Sequence, residues 1–165
     1  MVKRLRAVEE RDWESITAIF NHWVTESYAA YPDEPVGEGF FRDRNAAHPE
    51  YPFFVADGEA GIVGFAYLSP FHPVPTMRHT ANLTYFLHPE HTGHGLGRVF
   101  LERLLEAGRE IGITNFMAHI SSENSGSIRF HHRHGFTECG RFGNVGLKKG
   151  RPYDMVWMQK DLSAD

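Results

Sequence analysis

Residues 80–110 read TANLTYFLHPEHTGHGLGRVFLERLLEAGRE: an alternating run, three glycines at every second position (Gly93, Gly95, Gly97), then a helix-spaced run. The alternation predicts a strand that turns Ala81, Leu83, Tyr85 and Leu87 to one face and Thr80, Asn82, Thr84 and Phe86 to the other, wetter face. Phe100, Leu101, Leu104, Leu105 and Ile111 mark one face of the helix that follows. Strand, bare backbone and helix in succession place free N–H groups at a helix N-terminus, where an anion such as a phosphate is favoured. Two well-known phosphate loops are excluded. A nucleoside-triphosphate loop needs Lys followed by Ser or Thr, and a dinucleotide loop needs G-x-G-x-x-G, whose last position counted from Gly93 is Arg98. A tight turn without a ligand is the plain alternative.

The remaining elements set that unit in a mixed α/β chain. Helical spacing runs through Trp13, Ile16, Ile19, Phe20, Trp23 and Val24, with Asp12 as N-cap and a stop before Pro32. A weaker helix spans about 37–48. Residues 53–57 and 62–69 read as a hairpin. After the glycine loop come a buried strand over 115–120, a capped helix closed by Gly135, and two strands near 136–142 and 153–160 flanking a loop. The predicted order is α-α-β-β-β-α-β-α-β-β, one domain over residues 1–165 with a largely antiparallel first half.

Composition narrows the function classes. The 165 residues carry a formal net charge of −4, which gives no broad footprint for nucleic acid or an anionic membrane. A basic N-terminus without an apolar core, no run of membrane-spanning length and a single cysteine, Cys139, lead us to expect a cytoplasmic protein. Cys139 is expected to pack as a small apolar side chain. His131, His132 and His134 lack the spacing of a metal site, so no metal is expected. Asn124, Ser127 and His131 recur at helical spacing along one polar face.

Taken together, the glycine loop, the segment ENSGSIRFHHRHGF, the ending GLKKGRPYDMVWMQKDL and the early helix AIFNHWV resemble the GCN5-related N-acetyltransferases. Within them the chain resembles the phosphinothricin and methionine-sulfone acetyltransferase-like group. The second segment matches through Asn124, Ser127, His131, Gly135 and Phe136. The resemblance implies an α/β fold whose central twisted mixed sheet, flanked by helices, splays after its fourth strand to hold acetyl-CoA. It implies direct acetyl transfer to the primary amine of a small molecule such as an amino acid or its analogue, and a homodimer. By the same likeness Tyr85, Phe86 and Leu87 offer backbone to the acetyl and pantetheine part. Gly93, His94, Gly95, Leu96, Gly97 and Arg98 cradle the pyrophosphate, with Asn124 and Ser127 along the arm. His131 stands where many relatives have a tyrosine that protonates the leaving thiolate, and an unperturbed imidazole can donate a proton near neutral pH.

Departures from the family pattern are equally specific. Thr92 replaces the Arg or Gln that opens the pyrophosphate motif. Asn82 stands where relatives place a glutamate to accept the amine proton, and an amide cannot be a general base. It can hold the amine or a water together with Thr84, while His79, Glu34 and Glu123 are candidate substitutes. In PFHPVPTMR, His72 and Val74 occupy places where relatives tend to carry arginines, and Arg78 is retained. These three join Asn82 and Thr84 as the expected substrate contacts. Tyr28, Tyr31, Phe40, Phe41 and Phe71 are candidates for an apolar wall. The missing glutamate motivates an alternative, a catalytically weak acyl-CoA-binding or sensor protein. A nucleotide-binding module on the same cradle is a third.

Overall fold

The computed structural model describes residues 4–163. Its elements are β1 (Arg4–Ala7), α1 (Trp13–Glu26), α2 (Gly39–Ala47), β2 (Phe53–Asp57), β3 (Ile62–Pro70), β4 (Thr80–Leu87), α3 (Leu96–Glu110), β5 (Asn115–Ser121), α4 (Ser125–Arg133), β6 (Thr137–Lys148) and β7 (Arg151–Asp161). The seven strands form one sheet in the order β1-β2-β3-β4-β5-β7-β6. Every neighbouring pair is antiparallel except β4 and β5, which run parallel. That pair is short: Thr80↔Asn115, Ala81↔Phe116 and Asn82↔Met117 are in register, and both strands then continue without each other. The sheet is therefore splayed between its fourth and fifth strands.

Each face of the sheet has its own apolar layer. On one side α3 sends Leu96, Phe100, Leu101 and Leu104 against Leu68, Leu83, Phe116 and Met158. On the other, Trp13, Ile16, Phe20 and Val24 of α1 and Phe41 of α2 pack on Phe53, Phe65 and Tyr67. The predicted face of α3 holds except at Ile111, which lies past the helix end and is 45% exposed, while Ile113 is buried.

Four local expectations are corrected. β1 was not foreseen, because an edge strand of four residues with two arginines carries no alternation signal. Asp12 does not cap α1 through its side chain: its carboxylate accepts both terminal nitrogens of Arg6, at 2.7 and 2.9 Å, and the Glu9 amide. Arg6 also donates to Asp57, so one guanidinium ties β1 to the start of α1 and the end of β2. The loop expected after residue 142 is largely strand, because β6 passes a register irregularity between Phe142 and Gly146 and continues to Lys148. Cys139 is exposed on this strand instead of packed.

At the end of β6 the Lys148 side chain is fully buried and donates to the carbonyls of Ser27 and Ala30, at 2.8 and 2.6 Å. Burial pushes its ammonium pKa down. The contact fastens β6 to the segment between α1 and α2 that carries Tyr28 and Tyr31. Lys148→Met should strand both carbonyls and lower the unfolding free energy by roughly 1–3 kcal/mol in urea titration. An unchanged midpoint would show that the carbonyls find other donors.

Candidate active site

Where β4 and β5 part, a cavity of about 1790 Å³ opens, lined from α1, the α1–α2 segment, α2, β3, β4, the glycine loop, β5 and α4. Single-ligand sites usually measure roughly 300–1,000 Å³. This one has room for two partners at once.

One end is built of backbone. Gly93 and Gly95 have φ of +77° and +84°, the left-handed region that an L side chain avoids. A Cβ at either position would meet no protein atom within 4 Å, so the requirement comes from the turn and from the open space in front of it. Among the described residues the amides of 93–97 have no acceptor, and the first helical bonds of α3 come from Arg98 and Val99 to the Gly95 carbonyl. Leu96 points into the core and His94 lies outside the cavity lining, so both offer only main chain here. Arg98 lines the cavity, with its Nε 2.7 Å from Glu102 one turn on. Thr92 turns its hydroxyl to the Pro89 carbonyl, 2.9 Å away.

The middle of the cavity joins β4 to α4. Asn124 caps α4, its Oδ1 accepting from the Ser127 amide. As the sequence spacing predicts, Asn124, Ser127 and His131 all reach the cavity lining. His131 is only 3% exposed. Its Nδ1 lies 2.8 Å from the Ser127 carbonyl, so Nδ1 carries the proton, and Nε2 accepts from the Tyr85 hydroxyl at 2.7 Å. Burial, aided by His134 and His132, lowers the imidazole pKa to about 4 against the Ser127 bond that raises it. This corrects the expectation of an unperturbed imidazole: near neutral pH the ring is uncharged and its inward nitrogen has no proton to give. The proton at that point belongs to Tyr85, whose hydroxyl burial holds well above the ordinary tyrosine value. Phe86 turns the other way onto Phe20 and Phe65, and the Leu87 carbonyl accepts from Trp23 Nε1 at 2.7 Å.

The opposite face of β4 carries Asn82 and Thr84. Asn82 Nδ2 donates to the Pro70 carbonyl at 3.2 Å, while its Oδ1 is buried without a partner. An orphan acceptor facing a cavity calls for a donor from the ligand. Tyr28, Tyr31 and Phe40 line the cavity as expected, but Phe41 is core and Phe71 is exposed outside it. His72, Val74 and Arg78, three of the expected substrate contacts, are exposed on the β3–β4 connection and do not line the cavity. Of the proline-rich segment only Pro70, at its start, joins the lining. Of the substitute bases, His79 and Glu34 lie outside the lining, and Glu123 is held by Arg151 at 2.9 Å.

Sequence reasoning missed His119. It lines the cavity from β5, its ring stacked with Tyr31 at 5.5 Å between centroids and tilted against Trp157 at 5.0 Å. Alternation in NFMAHI puts it on one face with Asn115 and Met117. Only the pairing of Met117 with Asn82 reveals that this is the polar face of β4. The neighbouring histidines do not converge: His134 Nδ1 faces the Phe130 carbonyl, away from the His131 bonds. Among the described residues no group of three or more His, Cys, Asp or Glu side chains could hold a metal ion, and no helix is long and apolar enough to cross a membrane.

Comparison with known proteins bears on this geometry. An acetyltransferase (GNAT) domain model matches residues 5–157. The chain is 34% identical to the L-methionine sulfoximine/L-methionine sulfone acetyltransferase of Salmonella typhimurium, over 96% of this chain and 94% of that one. It is 32% identical to an L-amino acid N-acyltransferase of Escherichia coli, over 96% and 93%. The crystal structure of a GNAT superfamily phosphinothricin acetyltransferase from Sinorhizobium meliloti in complex with acetyl-CoA superposes with a TM-score of 0.90 at 31% identity, covering 98% of this chain and 89% of the other.

Proposed function

Since the chain belongs to the GNAT acetyltransferases, in the phosphinothricin and methionine-sulfone acetyltransferase group, it is an N-acetyltransferase, and we propose that it acetylates the primary amine of a small amino acid or amino-acid analogue from acetyl-CoA. The observation that carries the reading is the splayed cavity, which unites a backbone anion cradle with an orphan acceptor at Asn82. The free amides of residues 93–97 and the left-handed Gly93 and Gly95 fit the pyrophosphate of acetyl-CoA, so these residues would hold it. Bound there, the cofactor supplies a thioester as acyl donor. Asn124 and Ser127 border its arm, and the Tyr85 hydroxyl, held in place by His131 at rest and turning its proton from Nε2 to the departing sulfur, serves as proton donor. Asn82 Oδ1 accepts one N–H of the amine, and Thr84 borders the same floor.

A cytoplasmic homodimer belongs to the same reading. An exposed thiol at Cys139 suits a reducing compartment, and exposed Phe142, Val145 and Leu147 on β6 offer a surface for self-association.

The test is release of free CoA with a panel of L-amino acids, their sulfone, sulfoximine and phosphinate analogues, and simple polyamines across pH 6–9. Turnover of an amino-acid-like amine is expected. Binding of acetyl-CoA without turnover of any amine would favour the acyl-CoA sensor, and displacement by ATP as effective as by CoA would favour a nucleotide module. Asn82→Ala should raise KM for the amine roughly 3–10-fold with little change in kcat, the loss of one hydrogen bond made equally in ground and transition states. A fall in kcat at constant KM would instead give Asn82 a part in the chemical step.

A further inference from the structure

An amine that attacks a thioester must shed a proton, and the cavity can be searched for its acceptor. His131 lies on the α4 side, with Nε2 already accepting from Tyr85. His134 is engaged with the Phe130 carbonyl, and Glu123 is paired with Arg151. Asp43 on α2 and His48 just past its end are exposed to solvent, whereas the floor formed by Asn82 and Thr84 is part-buried. His119 remains, and the backbone puts it where the acceptor is needed. Met117 is in register with Asn82, so residues 117 and 119 of β5 share the face of Asn82 and Thr84. His119 sits two residues beyond the last paired position, across the splay from Thr84.

The ring is also held in a useful tautomer. The Tyr31 hydroxyl donates to the His119 backbone carbonyl at 2.9 Å, which leaves its oxygen to accept from Nδ1 at 3.1 Å. With the proton fixed on Nδ1, Nε2 presents a lone pair, and among the described residues it has no hydrogen-bond partner. Resting on the acetyltransferase reading above, we infer that His119 is the general base of this enzyme, taking the amine proton at Nε2 directly or through one water, with Tyr31 as the positioning residue. As the nitrogen–carbon bond to the acetyl group forms and the carbon–sulfur bond breaks, one amine proton passes to His119. The leaving sulfur takes its proton from the Tyr85 hydroxyl, which regains one from solvent as His119 releases its own there.

Burial lowers the His119 pKa below its ordinary 6.5. Tyr31 from the α1–α2 segment and Trp157 from β7 face the ring, Tyr153 stacks behind Tyr31, and Asn82 and Thr84 supply the facing β4 surface. None of these carries a charge near neutral pH. The base is then ready at neutral pH and fails in acid.

The experiment uses the panel's best acceptor, one whose own ammonium titrates above roughly pH 7.7. In the parent protein log(kcat/KM) should fall with slope one as the amine protonates, then steepen to slope two below pH 6.5 as His119 protonates. His119→Asn, whose amide can keep the bond to Tyr31, should lose ~10²–10⁴-fold in kcat/KM and keep slope one throughout, with acetyl-CoA affinity unchanged. Tyr31→Phe should move the steepening without abolishing it. A variant within tenfold of the parent that keeps the steepening would overturn the inference while leaving the acetyltransferase reading intact. If no amine is turned over, nitrogen NMR of the imidazole decides: the Nδ1–H tautomer with a midpoint below 6.5 supports the inference, and the Nε2–H tautomer or a midpoint at 6.5 or above ends it.

Discussion

Gly95→Val is expected to weaken acetyl-CoA binding roughly a hundredfold, about 2.7 kcal/mol, in calorimetric titration. The residue has φ +84° and opens α3 with free amides on both sides. A valine cannot hold that backbone without strain of about 1–3 kcal/mol, and relaxing it turns away amides whose bonds to a phosphate are worth about 1.5 kcal/mol each. Its side chain would also enter the space in front of the cradle, since no protein atom stands within 4 Å of the added Cβ. Gly112 supplies the control. It has φ +86°, equally open surroundings and no place in the cavity lining. Gly112→Val should lose comparable stability yet bind acetyl-CoA as the parent does. Equal affinity in folded Gly95→Val protein would remove the cradle from the cofactor site.

Breaking the Tyr85–His131 pair should cost ~10²–10⁴-fold in kcat with acetyl-CoA affinity nearly intact. Tyr85→Phe removes the donor, and His131→Ala removes the partner that holds its hydroxyl in place. Because the imidazole pKa is about 4, the ring stays neutral through the assay range, so the His131→Ala loss should be uniform over pH 6–9. Loss confined to the acid side, where a protonated ring would be populated, would revive an imidazolium donor. The same shift has a sign for folding. The folded chain binds fewer protons than the unfolded one between pH 6.5 and about 4. The stabilising contribution of neutral His131 is thus complete above 6.5 and is lost as the pH falls through that window. His131→Gln should flatten this part of the acid-unfolding curve.

What could be read from the sequence depended on how local the signal was. β4, the glycine loop and α3 are specified by alternation, by glycine and by 3.6-residue spacing, and each stands where the residues predict. The Asn124 cap is equally local. β1 was hidden because its pairing with β2 lies some fifty residues away and its four residues show no pattern. The continuation of β6 was masked by glycines and by Asn144 at φ +52°, which resemble a turn until β7 is laid alongside. In the site, the α4 stripe was legible, but the depth at which His131 sits was not, since Tyr85, Phe130 and Phe136 enclose it only in the folded chain. His119 needed the β4–β5 register. The arginine-bearing loop of the relatives led to His72, Val74 and Arg78, which this fold leaves outside the cavity.

The seam between β4 and β5 consists of three residue pairs, so a seven-stranded sheet carries two edges within its own interior. Unpaired edges are ordinarily a liability at the rim of a sheet. Here they make the fold a partner in a linked equilibrium. A ligand that enters the seam of the folded chain alone adds about 2.7 kcal/mol to its stability when present at a hundred times its Kd. Domains commonly have only about 5–15 kcal/mol in total. Acetyl-CoA at that excess should therefore raise the unfolding midpoint of the chain and slow its cleavage by added protease, and equal cleavage with and without it would break the link.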